Sequence, residues 1–186
     1  MSRPNLDEIK QVYMEADLLF SHADVERAID NMGAAITEAF ADKDPVIFSI
    51  MNGGLVIGGQ LLTRLNFPLE ASYLHATRYR NTTSGHQLEW KVPPMIDFKD
   101  RPVLVVDDIL DEGHTLVEVM KHFENEGAAS VDAAVLIDKL HDRKAIPGLS
   151  ARFTGLSIPD RYIFGFGMDY KGYWRNAPGI FAVKGL

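Results

Sequence analysis

Residues 102–116, PVLVVDDILDEGHTL, constrain the fold of this chain more than any other stretch, because an apolar strand runs directly into four carboxylates, a glycine and a hydroxyl before a helix begins. Val103, Leu104, Val105 and Val106 have the unbroken apolar character of a strand buried on both faces of a parallel sheet. Asp107 and Asp108 follow at its carboxyl end, which is where open α/β sheets bind their ligands. Leu116, Val119, Met120 and Phe123 then repeat at helical spacing as far as Gly127. Gly113, His114 and Thr115 therefore put backbone amides and a hydroxyl at the positive end of a helix dipole, an arrangement suited to a phosphate monoester. The carboxylates repel such a group; they suit sugar hydroxyls, which donate hydrogen bonds, or a magnesium ion. A lone Asp beside a glycine is more often a cap or turn residue. The ordered string of strand, acid pair, third acid, glycine and hydroxyl is what points to a binding loop.

The rest of the chain supplies the elements such a loop needs. Ser21 to Asp24 starts a helix that carries Val25, Ile29, Met32 and Ile36 on one face to about Phe40. Pro45 to Ile50 reads as a second buried strand, with Met51 to Gly54 as its exit turn and a helix following to about Leu65, where Gly58 and Gly59 permit close packing. Glu70 to Tyr79 alternates as a strand, Val131 to Ile137 as another, and Ser157 to Phe166 as a short fifth. Alternating strands and helices predict an α/β fold with a parallel core sheet flanked by helices. At 186 residues and 46% hydrophobic, the chain is expected to form one domain over residues 1–186. A net charge of −7, with Lys and Arg scattered, argues against a nucleic-acid surface. Without cysteine there are no disulfides or thiolate metal sites, and no apolar run approaches a membrane span or signal peptide, so a cytoplasmic location is expected.

Three strand exits repeat one theme, polar or glycine residues after an apolar run. Asn52, Gly53 and Gly54 offer amides for a second phosphate group, although a plain tight turn has the same composition. Other nucleotide loops do not fit: G-x-x-x-x-G-K-[ST] is missing and GGLVIGG does not match G-x-G-x-x-G. Lys139 ends the fourth strand and brings an ammonium toward the same sheet edge, where a surface lysine is the ordinary reading. The segment IPDRYIFGFGMDYKGYWRN combines Tyr162, Ile163, Asp169 and Arg175. Singly, Tyr162 reads as core and Arg175 as a solvated charge.

The strand followed by an acidic pair and D-x-G-x-T resembles the ribose-phosphate signature of the phosphoribosyltransferases. The pattern I-P-D-x-[aromatic]-[aliphatic]-x-G, then D-Y-x-x-[aromatic]-R, is similar to the branch that salvages 6-oxopurines, and the resemblance covers roughly residues 45–180. It implies the type I phosphoribosyltransferase fold, with a small hood built from the terminal segments. It further implies that Asp107 and Asp108 grip the ribose 2- and 3-hydroxyls while Glu112, Gly113, His114 and Thr115 cradle the 5-phosphate. Asp111 would be the catalytic carboxylate facing purine N7, Lys139 would meet O6, Tyr162 would stack on the base, and the backbone of Ile163 would meet its edge. Asp169, with Asp107 and Asp108, would hold Mg2+; Asn52, Gly53 and Arg175 would bind pyrophosphate. Partners would be phosphoribosyl pyrophosphate, a 6-oxopurine base, and further copies of the chain in a homodimer or homotetramer.

This sequence departs from the family pattern at several positions. Asn52 stands where many members have lysine, and Arg78 replaces the serine that commonly precedes the lid tyrosine, here Tyr79. Glu112 and His114 replace the usual threonine and lysine of the phosphate loop. The polar stretch from Arg80 to Lys91 is long for a hairpin and is expected to be a lid. The expected activity is transfer of 5-phosphoribose to hypoxanthine or guanine. The alternatives are an enzyme for xanthine or another nucleobase and a phosphoribosyl-pyrophosphate-sensing regulator. Lys139, pointing inward, would favour a carbonyl over an amine at purine position 6.

Overall fold

Strands apolar on both faces organise the computed structural model of this protein, which describes residues 4–78 and 88–186. In chain order the elements are α1 (Leu6–Glu15), β1 (Asp17–Ser21), α2 (His22–Phe40), β2 (Val46–Ile50), α3 (Gly54–Leu62), β3 (Glu70–Arg78), β4 (Leu88–Val92), β5 (Pro102–Leu110), α4 (His114–Asn125), β6 (Ser130–Leu140), β7 (Phe153–Pro159), β8 (Ile163–Phe164) and β9 (Gly179–Ala182). Six strands form the main sheet in the order β4-β3-β2-β5-β6-β7, parallel throughout except for β4, which runs antiparallel to β3. Leu104 and Val106 of β5 pack among residues of α2 and α3, whereas Val103 and Val105 pack with Leu116, Val119 and Phe123 of α4. Both faces are thus covered, as the β-branched run requires. Helix α2 starts with a reciprocal capping box between Ser21 and Asp24 and buries Val25, Ile29, Met32 and Ile36.

A second, antiparallel sheet in the order β1-β9-β8 joins segments from the two ends of the chain and forms the expected hood. The predicted fifth strand over 157–166 divides here. Phe153–Pro159 closes the main sheet, while Ile163–Phe164 belongs to the hood. Pro159 has no N–H with which to extend the ladder, and Asp160 is tied to Arg143 at 2.6 Å, which turns the chain away. The stretch expected to be a lid overlaps a strand over its last residues. Residues 88–92 are a strand because Leu88, Trp90 and Val92 turn inward while Glu89 and Lys91 are exposed, with the Trp90 ring 4.8 Å from that of His122. Tyr79, residues 80–87 of the stretch expected to be a lid, and the side chain of Arg78 lie outside the described residues. Of the two glycines expected to permit close packing of α3, Gly58 is packed tightly on Ser49, but Gly59 has nothing within 4 Å of the position a Cβ would take.

Candidate active site

The pairing of β5 explains where the cleft opens. On one side its register with β6 continues to Leu110, opposite Asp138; on the other its register with β2 ends at Val106, opposite Ser49. Beyond that point the chain leaves β2 through Met51–Gly54 while β5 continues through Asp107 and Asp108. The connections from β2 lead to β3 on one side and those from β5 lead to β6 on the other, so this is the point at which strand order reverses. A cleft of about 370 Å³ opens there, lined among others by Gly53, Asp108, Lys139, Tyr162, Asp169 and Arg175. The β2 exit turn lies directly against the acid pair: a Cβ on Gly53 would sit 2.4 Å from Asp108 Oδ2. Gly167 packs on the carbonyl of Gly53, bringing the loop after β8 down on the same spot.

Two adjacent carboxylates at a sheet edge are electrostatically costly. Burial, followed by the charge of Asp108, pushes the Asp107 carboxyl well above the usual carboxylate range. Burial also raises Asp108, against the opposing effects of a hydrogen bond with Asp107 and the Arg175 charge. Arg175 reaches Asp108 only at 4.0 Å; its closer partners are Asp169 at 2.5 Å and the carbonyl of Gly167 at 2.6 Å. The second oxygen of Asp169 accepts the backbone N–H of Gly172 at 2.6 Å. Ribose hydroxyls or a cation would offset the burial cost that raises both members of the acid pair. Carboxylate oxygens suit magnesium, but among the described residues Asp107, Asp108 and Asp169 do not form a ready-made cage. Among the described residues, the one acidic or histidine trio with converging ligand atoms is Asp111, His141 and Asp160, whose ligand atoms lie within 4.8 Å of one another. The carboxylate oxygens of Asp107, Asp108 and Asp169 are the hard donors that a magnesium ion takes alongside water and substrate oxygens.

Asp111 occupies the next turn of the loop. Its Oδ2 accepts from Lys139 Nζ at 3.0 Å and its Oδ1 meets His141 Nε2 at 2.8 Å. Burial would raise this carboxyl, but the hydrogen bonds from Lys139 and His141 outweigh it and hold it below the usual range. Lys139 is buried rather than solvated, and its ammonium also lies 3.4 Å from Asp160. A hydrogen bond from Arg143 draws the Asp160 carboxyl down to about 2. Lys144 donates to the carbonyls of Leu110 and Asp111 at 2.8 and 2.9 Å and to Asp138 at 2.7 Å, pinning the backbone that carries Asp111.

The loop expected to bind phosphate lines an adjoining cleft of about 250 Å³ formed by Asp107, Asp111, Glu112, Gly113, His114 and Thr115, among others. Gly113 stands at φ +82° and a Cβ there would meet Leu149 at 2.4 Å, so glycine is required by both backbone and space. Helix α4 starts at His114 without a side-chain cap on its amides, and Glu112 lies 3.4 Å from His114. Of the residues singled out from sequence, Asp107, Asp108, Asp111, Glu112, Gly113, His114, Thr115, Gly53, Lys139, Tyr162, Ile163, Asp169 and Arg175 line the two clefts. Asn52 does not: it is exposed on the turn while Met51 and Gly53 face the cleft. His141 and Lys144 were not singled out. His141 had a legible signal, since it lies two residues beyond Lys139 and strand periodicity places both on one side.

A mostly parallel sheet whose strand-order reversal carries an acid pair and a glycine turn into a helix start has the architecture of a phosphoribosyltransferase. The family profile for the phosphoribosyl transferase domain matches residues 15–171, and the chain belongs to this family. The hypoxanthine-guanine phosphoribosyltransferase of Streptococcus pneumoniae is 32% identical over 168 residues, covering 90% of this chain and 92% of that protein. The hypoxanthine-guanine-xanthine phosphoribosyltransferase of Tritrichomonas foetus is 30% identical over 181 residues, covering 97% and 95%. The crystal structure of a hypoxanthine phosphoribosyltransferase from Staphylococcus aureus superimposes with a TM-score of 0.84 at 25% identity, covering 90% of this chain and 91% of the other.

Proposed function

We propose that this chain transfers 5-phosphoribose from phosphoribosyl pyrophosphate to N9 of hypoxanthine or guanine, releasing pyrophosphate, and thereby serves purine salvage. The observation that carries the choice of base is the pairing of Lys139 with Asp111 at 3.0 Å in the cleft. One group donates and its neighbour accepts, complementary to the carbonyl at position 6 and the protonated N7 of an oxopurine. An amine at position 6 would leave the buried ammonium facing another donor. Asp107 and Asp108 take the ribose hydroxyls, whose donors offset the burial that raises both carboxyls. The amides at the start of α4 and the Thr115 hydroxyl take the 5-phosphate. As the ribose–pyrophosphate bond breaks, its electron pair leaves on oxygen, and Arg175 exchanges Asp169 for the departing anion. Asp111 stabilises the positive purine ring and takes its N7 proton. Asp169, Asp107 and Asp108 are the residues that would hold magnesium, which when bound would supply positive charge against the leaving group. The active form is taken to be a homodimer or homotetramer, which light scattering would measure.

The test is to incubate the protein with phosphoribosyl pyrophosphate, magnesium and each of hypoxanthine, guanine, xanthine, adenine and uracil, and to measure nucleoside monophosphate. IMP and GMP are the expected products. Product from adenine or uracil alone would reject the oxopurine reading, and tight phosphoribosyl-pyrophosphate binding without turnover on any base would favour a regulator.

A further inference from the structure

His141 belongs to none of the motifs that carry the family resemblance, yet its side chain is only 4% exposed, less than Lys139 at 10%. Its two ring nitrogens have different kinds of partner. Nδ1 accepts the backbone N–H of Arg143 at 3.1 Å. A ring nitrogen that accepts an N–H carries a lone pair and no proton, so the ring hydrogen resides on Nε2. That nitrogen is 2.8 Å from Asp111 Oδ1. The backbone of Arg143 thus selects the tautomer that donates to the carboxylate.

We propose that His141 is a positioning residue for Asp111: its Nε2–H occupies Oδ1 and so presents Oδ2 to the cleft, where Lys139 now meets it and where the purine would bind. This rests on Asp111 being the proton-handling group proposed above. Lys139 cannot do the same work, because it must leave Asp111 in part to reach the base. Asp111, His141 and Asp160 are also close enough together to suggest a metal site, but a histidine that ligates through Nε2 carries its proton on Nδ1. Here Nδ1 faces a donor, and the Lys139 ammonium already stands 3.0 Å from Asp111 and 3.4 Å from Asp160. The carboxylates close to His141 are Asp111 and Asp160; the cations of the same cluster are Lys139, which meets both carboxylates, Arg143, which pairs with Asp160, and Lys144, which donates to the Asp111 carbonyl.

Nitrogen-15 NMR of the intact protein at neutral pH tests the tautomer without any variant. The His141 Nδ1 resonance should fall in the unprotonated range and Nε2 in the protonated range; the reverse pattern overturns the proposal. The kinetic test uses His141→Leu, which fills the space but cannot donate, and His141→Gln, whose amide can donate from a similar position. His141→Leu should lower kcat about 10- to 100-fold, the usual effect of losing a hydrogen bond to a charged group. The KM for phosphoribosyl pyrophosphate should change by no more than about twofold. Because Asp111 acts unprotonated and would lose a bond that favours its charged form, the acid limb of the kcat profile should move to higher pH. His141→Gln should return the limb and most of the turnover. Wild-type kcat with an unmoved limb in His141→Leu, or lost turnover with an unmoved limb and no rescue by Gln, rejects the positioning role. Asp111→Asn separates the two claims: it should cost about 100- to 10,000-fold, and wild-type turnover there would reject the proton-handling assignment itself.

Discussion

Asp107 shows most directly how the demands of function oppose those of stability. Burial and the Asp108 charge raise its carboxyl in the folded chain, so the native state holds the proton more tightly than the unfolded state. The stability this contributes is present below the unfolded carboxylate range, about 4, and is lost as pH rises through the raised folded value. At neutral pH and without ligands the raised Asp107 carboxyl therefore lowers the stability of the fold. Asp107→Asn keeps an oxygen for the Asp108 N–H, now bound at 2.9 Å, and removes the charge. It should melt higher than wild type at pH 8, by roughly 2–4 °C for each kcal/mol released, with the gain vanishing near pH 4. Loss of stability at both pH values would show that the pair is not strained. Lys139→Gln makes the matching case for specificity. Turnover of hypoxanthine and guanine should fall while discrimination against adenine relaxes, because an amide can both donate and accept; unchanged kcat/KM on every base would remove Lys139 from base recognition. The acids and Lys139 were legible in the sequence because their place at strand exits follows from apolar runs. The pairing of Asp111 with His141 was not, since it joins positions 30 residues apart through a loop whose path no local pattern sets.

Elements with their own periodicity were the ones that sequence disclosed. The VLVV run of β5 and the capped stripe of α2 needed no tertiary information to be read. Helix α1 buries only Ile9, and β8 and β9 are two and four residues long. Such elements exist because of what they pair with, so their local patterns are weak. The packing of α3 on β2 lies between these cases. Gly58 was read as a close-packing residue, and a Cβ there would approach Ser49 Oγ to 2.1 Å and Ser49 Cβ to 3.1 Å. Gly58→Ala should destabilise by about 1–3 kcal/mol despite the better helix propensity of alanine. Adding Ser49→Ala removes the nearer clash and should recover a large part of the loss in a double-mutant cycle measured by denaturant unfolding. Additive losses would mean that the two side chains do not share the contact.

At the scale of the whole molecule, the first helix and the last loop form one unit above the sheet. Trp174 donates to the carbonyl of Ile9 at 2.6 Å, Tyr13 stacks on the Trp174 ring at 4.5 Å, and Glu8 accepts from Tyr170 at 3.1 Å and Lys171 at 2.5 Å. The loop held in this way carries Asp169 at one end and Arg175 at the other. Tyr13 also lies against Phe164 and Phe181 of the hood sheet, with ring centroids 6.3 and 5.0 Å away. The helix is thus coupled through aromatic packing to the residues proposed to face pyrophosphate, while the six-stranded core and the loop after β5 stand apart from it. Tyr13→Ala should cost about 1–3 kcal/mol in lost ring contacts and burial. Its effect on catalysis should fall on binding: a KM for phosphoribosyl pyrophosphate raised several-fold, a KM for the base nearly unchanged, and circular dichroism like that of wild type. Tyr13→Phe, which keeps the ring, should behave as wild type. A fall in kcat with both KM values unchanged, or equal loss in the Ala and Phe variants, would disconnect α1 from the pyrophosphate side of the site and leave it as a cover for the hood alone.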